Sequence, residues 1–395
     1  MSKSPLKKEY DLIILGGGCS GLQLANQIIW KTNENSTIVP NLKILIIESR
    51  EHYVNDKTWC FWDDGTSHYN NWSYSNWQKW SFSSNVKSSK IVHKSNKYKY
   101  FYLKSIDFYD KSMKLIMENK NFSIKLGTCV ENVENKEGGF LIRTKDATFF
   151  SKKIVDCRYQ TPKNVRDPIW QIFYGYEIDF ENSSYSKDLV GLMNKIRYDE
   201  SGIFFHYILP ISERTLLLQV TYIGKQFFLP EKLKSEAIFN ISKLQKSTWN
   251  ILRTESGVLL QAGEFDKMSI SNSLRGGSNW GALRPSTGYA FSRIYQWSSD
   301  TADLLLGRKK PKKSKTIQKI QNFMDEVFLV VLKHCPKATV DTLLRLGKQL
   351  DPDTFARFMS DTAKFTDLIK VILACPKFIM TSQAINLIVK HRVKK

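Results

Sequence analysis

With 395 residues, 42% hydrophobic and 25% charged, the chain has ordinary globular composition and the length of two to three domains at about 150 residues each. That apolar share excludes disorder and fibrous architecture. Lys and Arg outnumber Asp and Glu by 59 to 38, and the net charge of +21 favours an anionic partner (nucleic acid, anionic lipid or an anionic cofactor) unless it reflects a general lysine bias.

Residues 10–15 (Y-D-L-I-I-L) form a short apolar run ending in Gly16-Gly17-Gly18-Cys19-Ser20-Gly21, and residues 22–29 (L-Q-L-A-N-Q-I-I) read as a helix. A polar loop leads to residues 42–47 (L-K-I-L-I-I), a second buried strand closed by Glu48. Strand, glycine turn, helix and strand make one βαβ unit, which requires a right-handed crossover and a parallel sheet. Residues 58–110 are dense in Trp, Tyr, Phe, Ser and Asn with weak periodicity. Residues 115–125 and 140–154 alternate as strands, and 169–176, 204–209 and 216–222 read as strands of a second, antiparallel sheet. From Ser314 apolar residues recur at helical spacing, as in Ile317, Ile320, Phe323, Met324, Val327, Phe328 and Val331, which predicts an all-helical tail. A basic loop, Arg308 to Lys315, joins it to what precedes.

No stretch approaches the roughly 18 apolar residues that span a bilayer, and the opening Met1-Ser2-Lys3-Ser4-Pro5 lacks the apolar core of a secretory signal. The expected location is therefore the cytoplasmic side, dissolved or lying on a membrane. Six scattered cysteines with no C-x-x-C pair point to reduced thiols and no structural zinc, and the six histidines show no metal-ligand spacing.

Gly16, Gly18 and Gly21 fit G-x-G-x-x-G between strand and helix. One glycine permits the tight turn, one lets the backbone approach a pyrophosphate, and one lets helix pack on strand. The amino end of the helix then holds the diphosphate. Glu48 would accept hydrogen bonds from ribose hydroxyls and repel a 2′-phosphate, which favours FAD or NAD over NADP. A second strand ends in Asp156-Cys157-Arg158; Asp156 either returns to the nucleotide or caps a turn.

Four further segments occur in order: N-D-K-T-W-C-F-W (55–62), W-Q-I-F-Y-G-Y-E (170–177), F-H-Y-I-L-P (205–210) before a strand ending Thr221-Tyr222, and G-A-L-R-P-S-T-G-Y-A-F (281–291). Together they resemble the bacterial lycopene β-cyclase family of flavoproteins, from Tyr10 to about Phe378. The resemblance implies an α/β fold: a Rossmann-like FAD-binding domain of the two-domain hydroxylase type (1–165 and 256–305), an antiparallel-sheet substrate domain (166–255) and a helical C-terminal region (306–395). It implies reduced FAD acting without net redox change, NAD(P)H as reductant, and a membrane-embedded carotenoid whose linear ends close into β-rings, giving γ- and then β-carotene. It also places Arg284, Pro285, Thr287, Gly288 and Tyr289 against the flavin; physically, Pro285 to Gly288 can start a helix whose free N–H groups face the flavin's pyrimidine edge.

One departure bears on the chemistry. The family's acidic residue on the strand after the F-x-Y-x-L-P segment corresponds to Gln219, the adjacent Val220 is not acidic either, and Met193-Asn194 stands where the family has Met-Asp. An amide has no titrating proton to give. Glu255, in R-T-E-S-G-V, is the next candidate acid and Glu177 a weaker one, each otherwise a strand acid. Cyclisation begins by protonating a terminal alkene, so it needs an acid, a base and a dry cavity tolerant of positive charge; aromatic faces supply about 0.5–2 kcal/mol each toward a cation. The alternatives are an FAD-dependent monooxygenase or oxidoreductase on an apolar substrate, and a cyclase-like protein impaired by Gln219. Nucleic-acid binding rests on charge alone. Collection of a bilayer substrate predicts peripheral docking on the inner face of the cell membrane, with Arg308 to Lys315 and Lys390, Arg392, Lys394 and Lys395 meeting anionic lipid. The sequence does not decide oligomeric state, ring type, or one- against two-ended cyclisation.

Overall fold

The computed structural model describes residues 8–34, 42–85, 89–181, 186–244, 248–265, 269–308 and 315–393. The first unit follows the sequence closely: β1 (Lys8–Leu15), α1 (Cys19–Glu34) and β2 (Ile44–Ile47), with β1 and β2 parallel. The aromatic stretch resolves into β3 (Thr58–Asp63), β4 (Ser75–Trp77), β5 (Lys79–Ser84), β6 (Ser89–Lys94) and β7 (Lys99–Lys104). Next come α2 (Ser105–Met117), β8 (Phe122–Lys125), β9 (Val130–Lys136), β10 (Gly139–Thr144) and β11 (Thr148–Asp156). The strand expected over 115–125 is therefore only its second half. Leu115 to Met117 close α2, whose buried Phe108, Ser112 and Ile116 repeat every four residues, a helical period.

The middle of the chain carries β12 (Arg166–Phe180), β13 (Leu189–Tyr198), β14 (Gly202–Pro210), β15 (Thr215–Gly224), α3 (Lys234–Leu244), β16 (Trp249–Glu264) and β17 (Leu274–Arg275). The remainder is α4 (Phe291–Leu305), α5 (Lys315–His334), α6 (Pro336–Gln349), α7 (Pro352–Met359), α8 (Phe365–Ala374) and α9 (Lys377–Val393), the helical tail that the apolar spacing predicts.

Three sheets result. The first runs β8-β2-β1-β11-β10-β9 with β17 beside β11; its strands pair in parallel except that β10 is antiparallel to both β11 and β9. The second runs β16-β12-β15-β14-β13-β5-β6, antiparallel but for the β13–β5 pair. The third is the small sheet β3-β7-β4.

The second sheet redraws the expected division at 165/166 and 255/256. β5 and β6, expected with the nucleotide-binding part, lie in this sheet, β5 pairing with β13 and β6 with β5, and position 255 falls inside β16. The physical reason is the ring pair on β5: Trp80 and Phe82 are buried in one cluster with Val190 and Leu192 of β13 and Phe355 and Phe358 of α7. One face of the second sheet packs on α3 through Leu218, Val220 and Tyr222 against Ala237 and Ile241. The other face receives the C-terminal helices, where Gly347 of α6 rests on Phe82 and its carbonyl meets His93 Nε2 at 2.5 Å. The tail is thus a layer on this sheet, not an appendage.

Candidate active site

The apolar run of β1 ends at Gly16, whose φ of +94° lies where an L side chain is strained. The chain then turns into α1. A Cβ at Gly21 would overlap the Gly16 carbonyl oxygen, so only glycine lets the helix start this close to the strand. A Cβ at Gly18 would meet nothing nearer than an Arg50 nitrogen at 3.8 Å, so the backbone here is open to an approaching ligand. The first amides of any α-helix lack intrahelical acceptors, and this turn therefore has the donor set of a diphosphate cradle.

The strands on either side of β1 end alike. Glu48, after β2, accepts from Gly17 N at 2.6 Å and from Arg50 N and Nε at 2.9 and 3.0 Å. Asp156, ending β11, accepts from Arg158 N, Nε and Nη2 at 3.1, 2.9 and 2.8 Å. Each acid thus aims the arginine two residues on. Both guanidiniums line the cavity at the carboxyl ends of the strands, where open α/β sheets bind ligands. Burial pushes the Glu48 carboxyl up, but hydrogen bonds and charge from Arg50 outweigh it and hold Glu48 below the usual carboxylate range.

From this turn a single cavity of about 1510 Å³ runs to the face of the second sheet. A site for one small ligand occupies about 300–1,000 Å³, so this volume suits a dinucleotide plus part of a second, larger molecule. Its walls bring together Gly16, Gly18, Glu48, Gln219, Glu255, Thr287, Gly288 and Tyr289, all expected from sequence. Of the other expected residues, Gly21, Asp156, Arg284 and Pro285 are not on the wall.

Asp156 is off the wall, and its carboxylate accepts from Arg158 N and guanidinium, the turn-capping arrangement weighed above. Arg284 is fully buried behind residues of the wall: Asp325 of α5 meets its Nε and Nη2 at 3.0 Å, and the Phe358 carbonyl accepts from Nη1. The Pro285–Gly288 segment is a turn and not a helix start. Arg284 O accepts from Thr287 N at 3.2 Å and Gly288 N at 2.9 Å, and α4 begins only at Phe291. The expected free N–H row is therefore spent on closing the turn.

The wall formed by the second sheet follows from strand alternation. On β15, Gln219, Thr221 and Ile223 face the cavity while Leu218, Val220 and Tyr222 pack on α3. Gln219 lies in register with Tyr207 of β14 and Gly175 of β12. In the same register row, on the other side of Gly175, Glu255 of β16 is buried and accepts from Thr58 N at 3.0 Å and Thr58 Oγ1 at 2.6 Å, with Arg253 Nη2 at 3.0 Å. Burial raises the Glu255 carboxyl above its ordinary pKa despite Arg253 and Thr58. Glu177, the weaker candidate, bonds Arg253 Nε at 3.2 Å from behind and is not on the wall.

Arg50 and Arg158 on the cavity wall have no role in the sequence reading, and Tyr289, which has one, belongs to a tyrosine cluster. Tyr100 Oη meets Tyr207 Oη and Tyr289 Oη at 2.8 Å each, with Trp62 edge-on to Tyr289 at 5.3 Å. Burial raises all three phenols, so they remain neutral and present electron-rich faces. The repeated acid-x-Arg ending, visible at both 48–50 and 156–158, is a signal that could have found the arginines. The tyrosines come from three separate segments, and although Tyr207 and Tyr289 lie in the motifs quoted above, nothing local shows that they meet.

Fold and cavity together define a Rossmann-like, dinucleotide-binding α/β protein with an antiparallel-sheet cavity and a helical C-terminal layer. The fold is shared with a geranylgeranyl bacteriochlorophyll reductase-like protein from Thermoplasma acidophilum (TM-score 0.60, 14% identity, 95% of this chain and 98% of that one). It is likewise shared with a flavin-dependent brominase (0.62, 13%, 98% and 100%) and with p-nitrophenol 4-monooxygenase from Pseudomonas putida (0.56, 11%, 96% and 98%). No curated protein matches the chain. The chain belongs to the lycopene cyclase family, described as Lycopene cyclase protein, whose profile matches residues 11–385.

Proposed function

We propose that the protein is an FAD-dependent lycopene β-cyclase, and the observation that carries this reading is the single cavity joining the glycine turn of β1 to an apolar, aromatic wall on which the buried carboxyl of Glu255 sits beside Gln219 on the second sheet. The residues fit the cofactor: the Gly16–Gly21 turn and α1 for the diphosphate, Glu48 for a ribose, Arg50 and Arg158 for anionic charge, and the Thr287–Tyr289 turn beside the ring. Reduced FAD, when bound, supplies negative charge and an exchangeable N5 proton without net redox change; NAD(P)H is the proposed reductant.

The chain's own part is acid–base chemistry in a dry space. Glu255 gives its proton to the terminal alkene and a tertiary cation forms. The neighbouring double bond attacks that cation, and the Glu255 carboxylate takes the proton leaving the new ring, so atoms and charge balance. Tyr207, Tyr289 and Trp62 line the same cavity and offer faces to the cation at about 0.5–2 kcal/mol each. Gln219 sits on the wall where it can orient a chain but cannot protonate it.

Expression in a lycopene-accumulating bacterium, with pigment analysis, tests this reading: β- or γ-carotene is expected, and unchanged lycopene removes it. NADPH consumption matching product would mark a monooxygenase instead. Gln219→Glu should raise turnover at least about tenfold, since a positioned acid contributes about 10²–10⁴-fold. Gln219→Ala should lower it, and if both variants match wild type the position has no catalytic part. Gly21→Ala forces α1 off the turn, and its FAD content after purification should fall on the order of tenfold or more, read as loss of yellow colour.

A further inference from the structure

The last two helices are apolar on the wrong side for a protein interior. On α8, Phe365, Ile369, Ile372 and Leu373 are exposed at the spacing of one helical face. On α9, Phe378 is 91% exposed, and Ile385, Ile388 and Val389 continue that face. A contiguous apolar surface of this kind marks a partner or a membrane.

Together the two helices are as apolar as a membrane span, yet they meet at 116° across Cys375 and Pro376. Proline drives the residue before it out of the helical region, and Cys375 is extended at φ −69°, ψ 154°. The ten residues of α8 are only about 15 Å long against a hydrocarbon core of about 30 Å. Among the described residues no single helix is long and apolar enough to cross a membrane.

The same pair lines the cavity. Ile372 and Leu373 of α8 and Lys377, Met380, Thr381 and Ala384 of α9 are on its wall, and Ile372 and Leu373 are also exposed, which places one cavity mouth between the helices. The charges around the patch are mostly basic: Lys364, Lys377 and Lys390 are exposed, Lys370 pairs with Asp351 at 3.0 Å, α9 contains no Asp or Glu, and Asp367, the acid of α8, is buried against Arg357. A second copy of a chain of charge +21 would be repelled from this face, whereas an anionic leaflet is attracted to it.

We propose that α8 and α9 form a monotopic foot whose apolar faces sink into the headgroup–acyl boundary of an anionic leaflet, so that the cavity mouth between them opens to the hydrocarbon. Only the identity of the cargo rests on the cyclase reading. Of the basic residues expected to dock the protein, Lys390 lies on this foot; Arg308 instead donates to the Lys31 carbonyl at 2.8 Å, while 309–314, 394–395 and the side chains of Lys315 and Arg392 lie outside the described residues.

The test is co-sedimentation of the full chain with phosphatidylcholine–phosphatidylglycerol vesicles and with phosphatidylcholine alone. Wild type should bind the mixed vesicles more tightly. Ile385→Asp/Val389→Asp, neither position being on the cavity wall, should lose at least about tenfold in partitioning while keeping turnover of detergent-dispersed lycopene. The indole introduced by Phe378→Trp should shift its emission to the blue on mixed vesicles and be quenched by brominated acyl chains, a readout that stands even where the Asp variant does not fold. Unchanged sedimentation of the double variant, or an indole in the Phe378→Trp protein that brominated chains leave unquenched, overturns the foot, as does a dimer in sedimentation velocity that the double variant dissolves. Absence of turnover in detergent by wild type, with vesicle binding intact, overturns the cyclase reading and leaves the foot standing.

Discussion

Glu255→Gln is expected to cut ring formation by about 10²- to 10⁴-fold, the usual contribution of a positioned acid–base group. The carboxyl is on the cavity wall, and Gln219 faces the same space without a titrating proton. The pH dependence follows from its surroundings. Burial raises the Glu255 pKa although Arg253 and the Thr58 donors oppose it. A raised pKa keeps the acid protonated to higher pH than an exposed glutamate. The rate should therefore hold at low pH and fall as pH rises through that raised value, and this descending limb should vanish in the variant. Glu255→Asp, which retains a shorter acid, should recover part of the rate. Pigment analysis with purified enzyme across pH checks this, and wild-type turnover in Glu255→Gln would remove the residue from the reaction.

Asp325→Ala should destabilise the fold by about 3–5 kcal/mol, the cost of stranding one partner of a buried ion pair. Arg284 has no exposed surface, and Asp325 meets it through two nitrogens while also accepting from Ser286 Oγ at 2.7 Å. Asp361 remains 3.7 Å from the guanidinium, which places the loss toward the lower end of that range. The turn that Arg284 closes presents Thr287, Gly288 and Tyr289 to the cavity, so the variant should also shed cofactor. Urea unfolding and the flavin absorbance of the purified protein read the two effects separately. Stability within about 1 kcal/mol of wild type, a typical surface substitution, would show that the pair is not what anchors the turn to the C-terminal layer.

The consequence is a different view of the helical tail. Asp325 on α5 and the Phe358 carbonyl on α7 hold the cavity turn, α6 and α7 cover the second sheet, and α8 and α9 bound the cavity mouth. The tail is part of the site, and the sequence motif at 281–291 depends on it.

What the sequence determined by itself is local. An apolar run, three glycines at fixed spacing, an amphipathic stretch and a terminal acid lie within residues 10–48, and each constrains its neighbours through backbone geometry, so β1, the turn, α1, β2 and Glu48 are all readable there. Strand alternation on 216–222 likewise puts Gln219 on the side opposite Leu218 and Val220, but both sides are buried and only the packed layers show which is the cavity. Tertiary structure alone decided which groups occupy one another. Glu255 meets Thr58 across 197 positions, Arg284 meets Asp325 across 41, and residues 79–94 join a sheet whose other strands begin at residue 166. Periodicity reveals that a face is apolar, but not what covers it. Hydrogen-bond donors and carboxylates far apart in the chain are chosen by burial, because a buried charge must find whichever partner the packed layers bring near.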